Sequence, residues 1–143
     1  MPTTQQIVES LGGEKAMPRV RNQEDLRARL RKGLPYRVFE AIVALYQIAP
    51  DEMSAVLGVP ARTLARRKRQ ASFRADESDR LYRLARIAAL AGSVLGDRKK
   101  ATAWLHRRNR ALGGEMPLRR LDTELGARQV EQLLGRIAHG IPS

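Results

Sequence analysis

Met53–Arg69 reads MSAVLGVPARTLARRKR, and the fold turns on this stretch. A short apolar segment stops at Gly58, and a second segment, crowded with arginine, begins at Pro60. Met53, Leu57, Val59 and Leu64 have the spacing that packs two short helices together through a tight turn. Gly58 stands where the first helix must stop, a position that commonly needs a left-handed backbone. Pro60 suits the first turn of the next helix, where a missing N–H costs nothing. On that second helix Leu64 points inward, so Arg62, Ala65, Arg66 and Arg69 share the outer side at i, i+3, i+4 and i+7. A rigid helix with arginines on its free side fits a DNA major groove. The plainer alternative is a helical hairpin with a solvated basic face. On the groove reading, Arg62, Thr63, Arg66 and Arg69 are the candidate contacts to bases or phosphates.

The charge balance agrees with the motif. Lys+Arg 27 against Asp+Glu 15 gives a net charge of +12, which favours polyanions or an acidic partner. Ala61–Arg74 holds Arg62, Arg66, Arg67, Lys68, Arg69 and Arg74 without one acidic residue, so the sharpest basic patch coincides with the candidate recognition helix. Cysteine is absent, which excludes disulfides and thiolate chemistry. No apolar run approaches the ~20 residues that span a bilayer. The polar start MPTTQQIVES lacks the apolar core of a signal peptide. A soluble, cytoplasmic protein with no membrane partner is expected.

Outward from the opening stretch, every periodic segment is helical. Residues 1–22 carry Gly12, Gly13 and Pro18 around a brief cluster of Ile7, Val8 and Leu11, and read as a loosely held arm. Glu24–Lys32 runs from acids to bases, the order that complements a helix dipole, and ends at Gly33. Pro35 opens a helix striped by Val38, Phe39, Ile42, Val43, Leu45 and Tyr46. Ser72–Ala75 reads as a linker. Asp76–Asp79 then starts the longest helix, with Leu81, Leu84, Ile87, Leu90, Ala91 and Val94 at helical spacing up to Gly96. Asp97 caps a helix holding Ala101, Trp104 and Leu105, with Trp104 read as a core anchor. Asn109–Pro117 is a loop and Leu118–Leu121 a single turn. Residues 126–139 form the last helix, with Val130, Leu133, Leu134 and Ile137 inward. The fold class is all-α. A helix-turn-helix domain at 23–86 is joined by the long helix to a small helical domain at 87–143.

Catalysis finds no footing. His106 and His139 are far apart without a carboxylate cluster at metal-ligand spacing, so no metal site is expected. There is no Gly-rich phosphate loop followed by Lys-Ser/Thr and no Ser/His/Asp pattern, so neither catalytic residues nor a cofactor are expected.

The second half carries a specific order of residues. Trp104-Leu105 is followed by Asn109-x-Ala111-Leu112-Gly113-Gly114 and Pro117-Leu118. Leu121-Asp122-Thr123-Glu124-x-Gly126-Ala127 comes next, then Val130, Leu133-Leu134 and Ile137-x-x-Gly140. This resembles the C-terminal toxin-binding region of Xre/MbcA/ParS-type antitoxins. Arg62-Thr63-Leu64 and Glu77–Leu81 fit the helix-turn-helix portion of the same family. Arg108 departs from the pattern, standing where family members usually carry proline. The resemblance implies an antitoxin, itself without enzymatic activity, encoded beside a RES-domain toxin that degrades NAD⁺. It implies that the antitoxin blocks the toxin's active site and represses its own promoter, often as a complex with toxin. The implied toxin contacts are Asn109, Leu112, Gly113 and Gly114 in the loop, and Arg136, His139 and Ile141 at the end of the last helix. A homodimer on a two-fold or repeated operator is also expected, because one small module rarely gives enough specificity. The stripes at Val38–Tyr46 and Leu81–Val94 are the surfaces offered for it. Two other readings remain open here: a stand-alone regulator whose residues 97–143 only dimerise, and a protein-interaction adaptor that never touches DNA.

Overall fold

A computed structural model describes residues 1–140. Nine α-helices and two 3-10 turns lie among the described residues, whose only β pairing is two isolated bridges. The helices are α1 (Thr4–Ser10), α2 (Gly13–Ala16), α3 (Gln23–Lys32), α4 (Tyr36–Tyr46) and α5 (Pro50–Leu57). They continue with α6 (Ala61–Gln70), α7 (Ala75–Leu95), α8 (Arg98–Leu105) and α9 (Glu124–Ala138). The 3-10 turns, Arg110–Leu112 and Pro117–Asp122, lie between α8 and α9. No helix among the described residues is long and apolar enough to cross a membrane.

The α5–turn–α6 motif forms as its residues dictate. Gly58 adopts φ 63°, ψ 33° at the end of α5. Pro60 stands immediately before the first residue of α6 instead of inside its first turn. Ser54 Oγ donates to the Val59 carbonyl at 2.5 Å and closes the turn. Leu57, Val59 and Leu64 are buried, so the two helices share one apolar seam.

One hydrophobic core runs through the described chain, from Ile7 near the N-terminus to Leu134 in α9. Its axis is α7, which packs against α1, α3 and α5 as well as α8 and α9. Three arginines on α7 each grip a neighbouring element. Arg80 donates to the Leu57 carbonyl at the end of α5 (2.8 Å), and Arg83 donates to the Leu121 carbonyl in the second 3-10 turn (3.0 Å). Arg86 pairs with Glu124 and Glu131 of α9. The boundary expected between residues 86 and 87 falls inside this helix.

Three expectations need correction. Residues 1–22 are not a loose arm. A capping box of Thr3 and Gln6 starts α1, and Ile7, Val8, Leu11, Met17 and Val20 are buried. Ser10 and Tyr46 also share a buried hydrogen bond of 2.7 Å between α1 and α4. The apolar residues were too few per segment for a helical period to show. Nor is Ser72–Ala75 a passive linker. Phe73 is buried, stacked on Tyr36 with centroids 5.4 Å apart, and its N–H donates to the Leu34 carbonyl. Finally, the stripes offered for a homodimer are used by the chain itself. Val38, Phe39, Ile42 and Tyr46 are buried, as are Leu81, Leu84, Ile87, Leu90 and Ala91.

Candidate functional site

Two surfaces carry the chemistry, one at each end of the fold. The first is the outer side of α6. Arg62, Ala65, Arg66, Lys68 and Arg69 are exposed, and Thr63 is half-buried beside them. Among the described residues none of the cations Arg62, Arg66, Lys68 and Arg69 enters an ion pair. Their charge is therefore available to a phosphate backbone.

Arg67 is the exception within the run. It is buried, and its guanidinium forms a bidentate pair with Glu77 on α7, Nε to Oε1 at 2.7 Å and Nη2 to Oε2 at 2.9 Å. Glu77 Oε1 also accepts from the Arg74 N–H at 2.9 Å, which caps the start of α7. The hydrogen bonds that its guanidinium donates to Glu77 hold Arg67 still more firmly in its charged form, against the opposing cost of burial. For Glu77, burial pushes the carboxyl up. The Arg67 hydrogen bonds, the Arg74 N–H and the two guanidinium charges outweigh that and leave it below its ordinary value. This pair fixes α6 on α7, so the outer arginines project from an anchored helix. Arg67 is one more arginine in the sequence; only its position one step round from Arg66, toward the Leu64 side, separates it from the exposed ones.

The second surface joins the 3-10 region to α9. Asn109 works on its own loop: its Oδ1 accepts from the Ala111 N–H (2.9 Å) and its N–H donates to the Glu115 carbonyl (3.1 Å). Gly113 and Gly114 are exposed, whereas the Leu112 side chain is buried in the core. Arg136 and His139 are exposed at the end of α9, and Ile141 lies outside the described residues. Trp104 is buried, as expected of an anchor.

Arg120, absent from the expected contacts, holds this surface together. Its Nη2 donates to the Leu112 carbonyl (2.8 Å), its Nη1 to Gln129 Oε1 (2.6 Å), and its Nε faces Glu115 Oε1 at 2.6 Å. No sequence signal marks it, because its partners lie on three separate segments. Helix α5 packs on the second 3-10 turn, and Glu52 of α5 lies 3.7 Å from His106 Nε2 beyond α8.

Comparison with known proteins matches the two stretches of chain that carry these surfaces to described domains. Residues 25–86 match the family model for the antitoxin Xre-like helix-turn-helix domain. Residues 90–140 match that for the antitoxin Xre/MbcA/ParS C-terminal toxin-binding domain. A protein named Antitoxin Xre from Photorhabdus laumondii is 38% identical over 120 residues, covering 82% of this chain and 81% of that one. Antitoxin Xre of Yersinia enterocolitica is 32% identical over 114 residues, covering 78% and 77%. Antitoxin Xre of Pseudomonas putida is 42% identical over 83 residues, covering 57% and 52%. With its helix-turn-helix half and its toxin-binding half in this order, the chain belongs to the Xre family of toxin–antitoxin antitoxins.

Proposed function

We propose that this antitoxin neutralises a RES-domain toxin that degrades NAD⁺, by covering the toxin's active site, and that it represses its own promoter. The observation that supports the DNA half of the reading is the outer face of α6, an anchored helix whose Arg62, Arg66, Lys68 and Arg69 enter no ion pair among the described residues. The toxin half is supported by the match to a toxin-binding domain. Arg62, Thr63, Arg66 and Arg69 meet the operator: a bidentate arginine–guanine pair discriminates bases, and the remaining cations hold phosphates. The loop at Asn109–Gly114, Arg136 and His139 at the end of α9, and Ile141, which lies outside the described residues, meet the toxin. The chain acts in the cytoplasm, performs no catalysis and needs no cofactor. The second DNA-binding copy comes from a homodimer and from a hetero-oligomer with toxin, built on surfaces other than the apolar stripes of α4 and α7, which the chain's own core uses.

Co-expression with the neighbouring open reading frame tests the reading. The expected result is a co-purifying partner that arrests growth and depletes NAD⁺ when expressed alone, and does neither beside the antitoxin. A salt-dependent shift of upstream promoter DNA tests the second half of the proposal. A neighbour that leaves NAD⁺ untouched rejects the RES assignment. A chain that ignores promoter DNA both alone and with its partner rejects repression.

A further inference from the structure

Leu125 is 68% exposed, and apart from Met1 it is the one large hydrophobic side chain among the described residues left in water. A single exposed leucine is ordinary on a protein surface. Its setting here is not. Leu125 lies in the first turn of α9, on the flank opposite Gly126, Ala127, Val130 and Leu134, all of which are buried. One turn further, at i+4, stands Gln129, whose side chain accepts the Arg120 hydrogen bond. Through Arg120 the leucine's ridge is bolted to the Leu112 carbonyl, and so to the exposed Gly113–Gly114 loop. The ridge continues through Arg128, Gln132 and Arg136, all exposed, at i+3, i+7 and i+11 from Leu125. Neither Arg128 nor Arg136 has an ion-pair partner among the described residues, while the nearby acids Glu124 and Glu131 are drawn to Arg86 on α7.

We infer that Leu125 is the apolar anchor of the toxin interface, and that the α9 ridge from Leu125 to Arg136 docks in an apolar groove of the toxin rimmed by carboxylates. The inference rests on the antitoxin reading above and adds to it a contact that neither the sequence pattern nor the family match assigns. The mode is a helix laid in a groove, with the leucine filling a pocket and the unpaired arginines meeting acids around it. The Arg120 contacts supply rigidity, so little side-chain and loop entropy is lost when the surfaces meet. Anchors of this kind dominate binding while the surrounding contacts exclude water.

The test compares Leu125→Asp, Leu125→Met and wild type for affinity to the co-encoded toxin, with promoter DNA binding by the antitoxin alone, in the absence of toxin, and thermal melting measured on the same preparations. Aspartate in the first turn of a helix suits the dipole, so the variant keeps its fold. The expected result is a loss of toxin affinity of at least about tenfold for Leu125→Asp, near wild-type affinity for Leu125→Met, and unchanged DNA binding and melting in both. Toxin binding by Leu125→Asp equal to wild type overturns the inference while leaving the antitoxin reading intact. An equal loss in toxin and DNA binding also overturns it, since that marks a general structural defect. A wild-type chain that binds no toxin overturns both.

Discussion

Glu77 accepts three hydrogen bonds while buried, two from the Arg67 guanidinium and one from the Arg74 backbone. Glu77→Gln keeps the shape and leaves Arg67 charged without its counter-ion. Removing one partner of a buried pair costs about 3–5 kcal/mol, which a lowered urea midpoint would register. The same pair sets a pH dependence. The folded-state carboxyl titrates below the ordinary glutamate value of 4.5, so its stabilisation is complete above that value and fades as pH falls through the lower folded one. Urea unfolding from neutral pH down to about pH 3 should show wild type losing more stability than Glu77→Gln over the acid interval. Arg66, by contrast, is exposed and enters no ion pair among the described residues. Arg66→Ala should leave melting and toxin inhibition unchanged and weaken operator binding; if Arg66 holds a phosphate, the log–log salt slope also falls by about one. The outer arginines were legible because a 3.6-residue period separates them from Leu64. Arg67 was not, because charge alone does not distinguish it and its partner lies across a turn on another helix.

At the level of elements, Gly126 decides how α9 joins the preceding 3-10 turn. Thr123 Oγ1 accepts its N–H at 2.9 Å, and a methyl group placed there would overlap the Arg120 backbone carbonyl. Alanine normally favours a helix over glycine by about 1 kcal/mol. Here the sign reverses: Gly126→Ala should lower the melting temperature and weaken toxin binding, because the residue that must move carries the Arg120 side chain. Calorimetry and toxin affinity on the same preparation check both. Longer helices such as α4 and α7 were readable from their periodic stripes, and the stops at Gly33, Gly58 and Gly96 stand where the turn residues place them. Helices α1 and α2 escaped because seven- and four-residue segments are too short for a stripe. The segment after α8 read as a plain loop, whereas it holds a 3-10 turn at Arg110–Leu112 and an Asn109–Glu115 bridge, and the Arg120 cross-links to it depend on tertiary approach that spacing does not encode.

For the molecule as a whole, the continuous core predicts one cooperative transition. Trp104 is the only tryptophan and sits in the C-terminal half, so its fluorescence reports that half while far-UV circular dichroism reports the helices together. The two urea curves should coincide within error, and separate midpoints would show halves that unfold independently. The all-α class and the order of its parts were legible in the sequence. That the halves share a core was not, since α7 reads along one line of sequence while its packing spans both flanks. This sharing also bears on inheritance. A recombinant gene that splices the front of one such protein to the back of another within α7 produces a hybrid rod that must suit two foreign flanks at once. Choice of operator and choice of toxin therefore tend to travel together through evolution, and engineered chimeras should place their junction beyond Leu95 and retain the flank of α7 that receives the incoming helices.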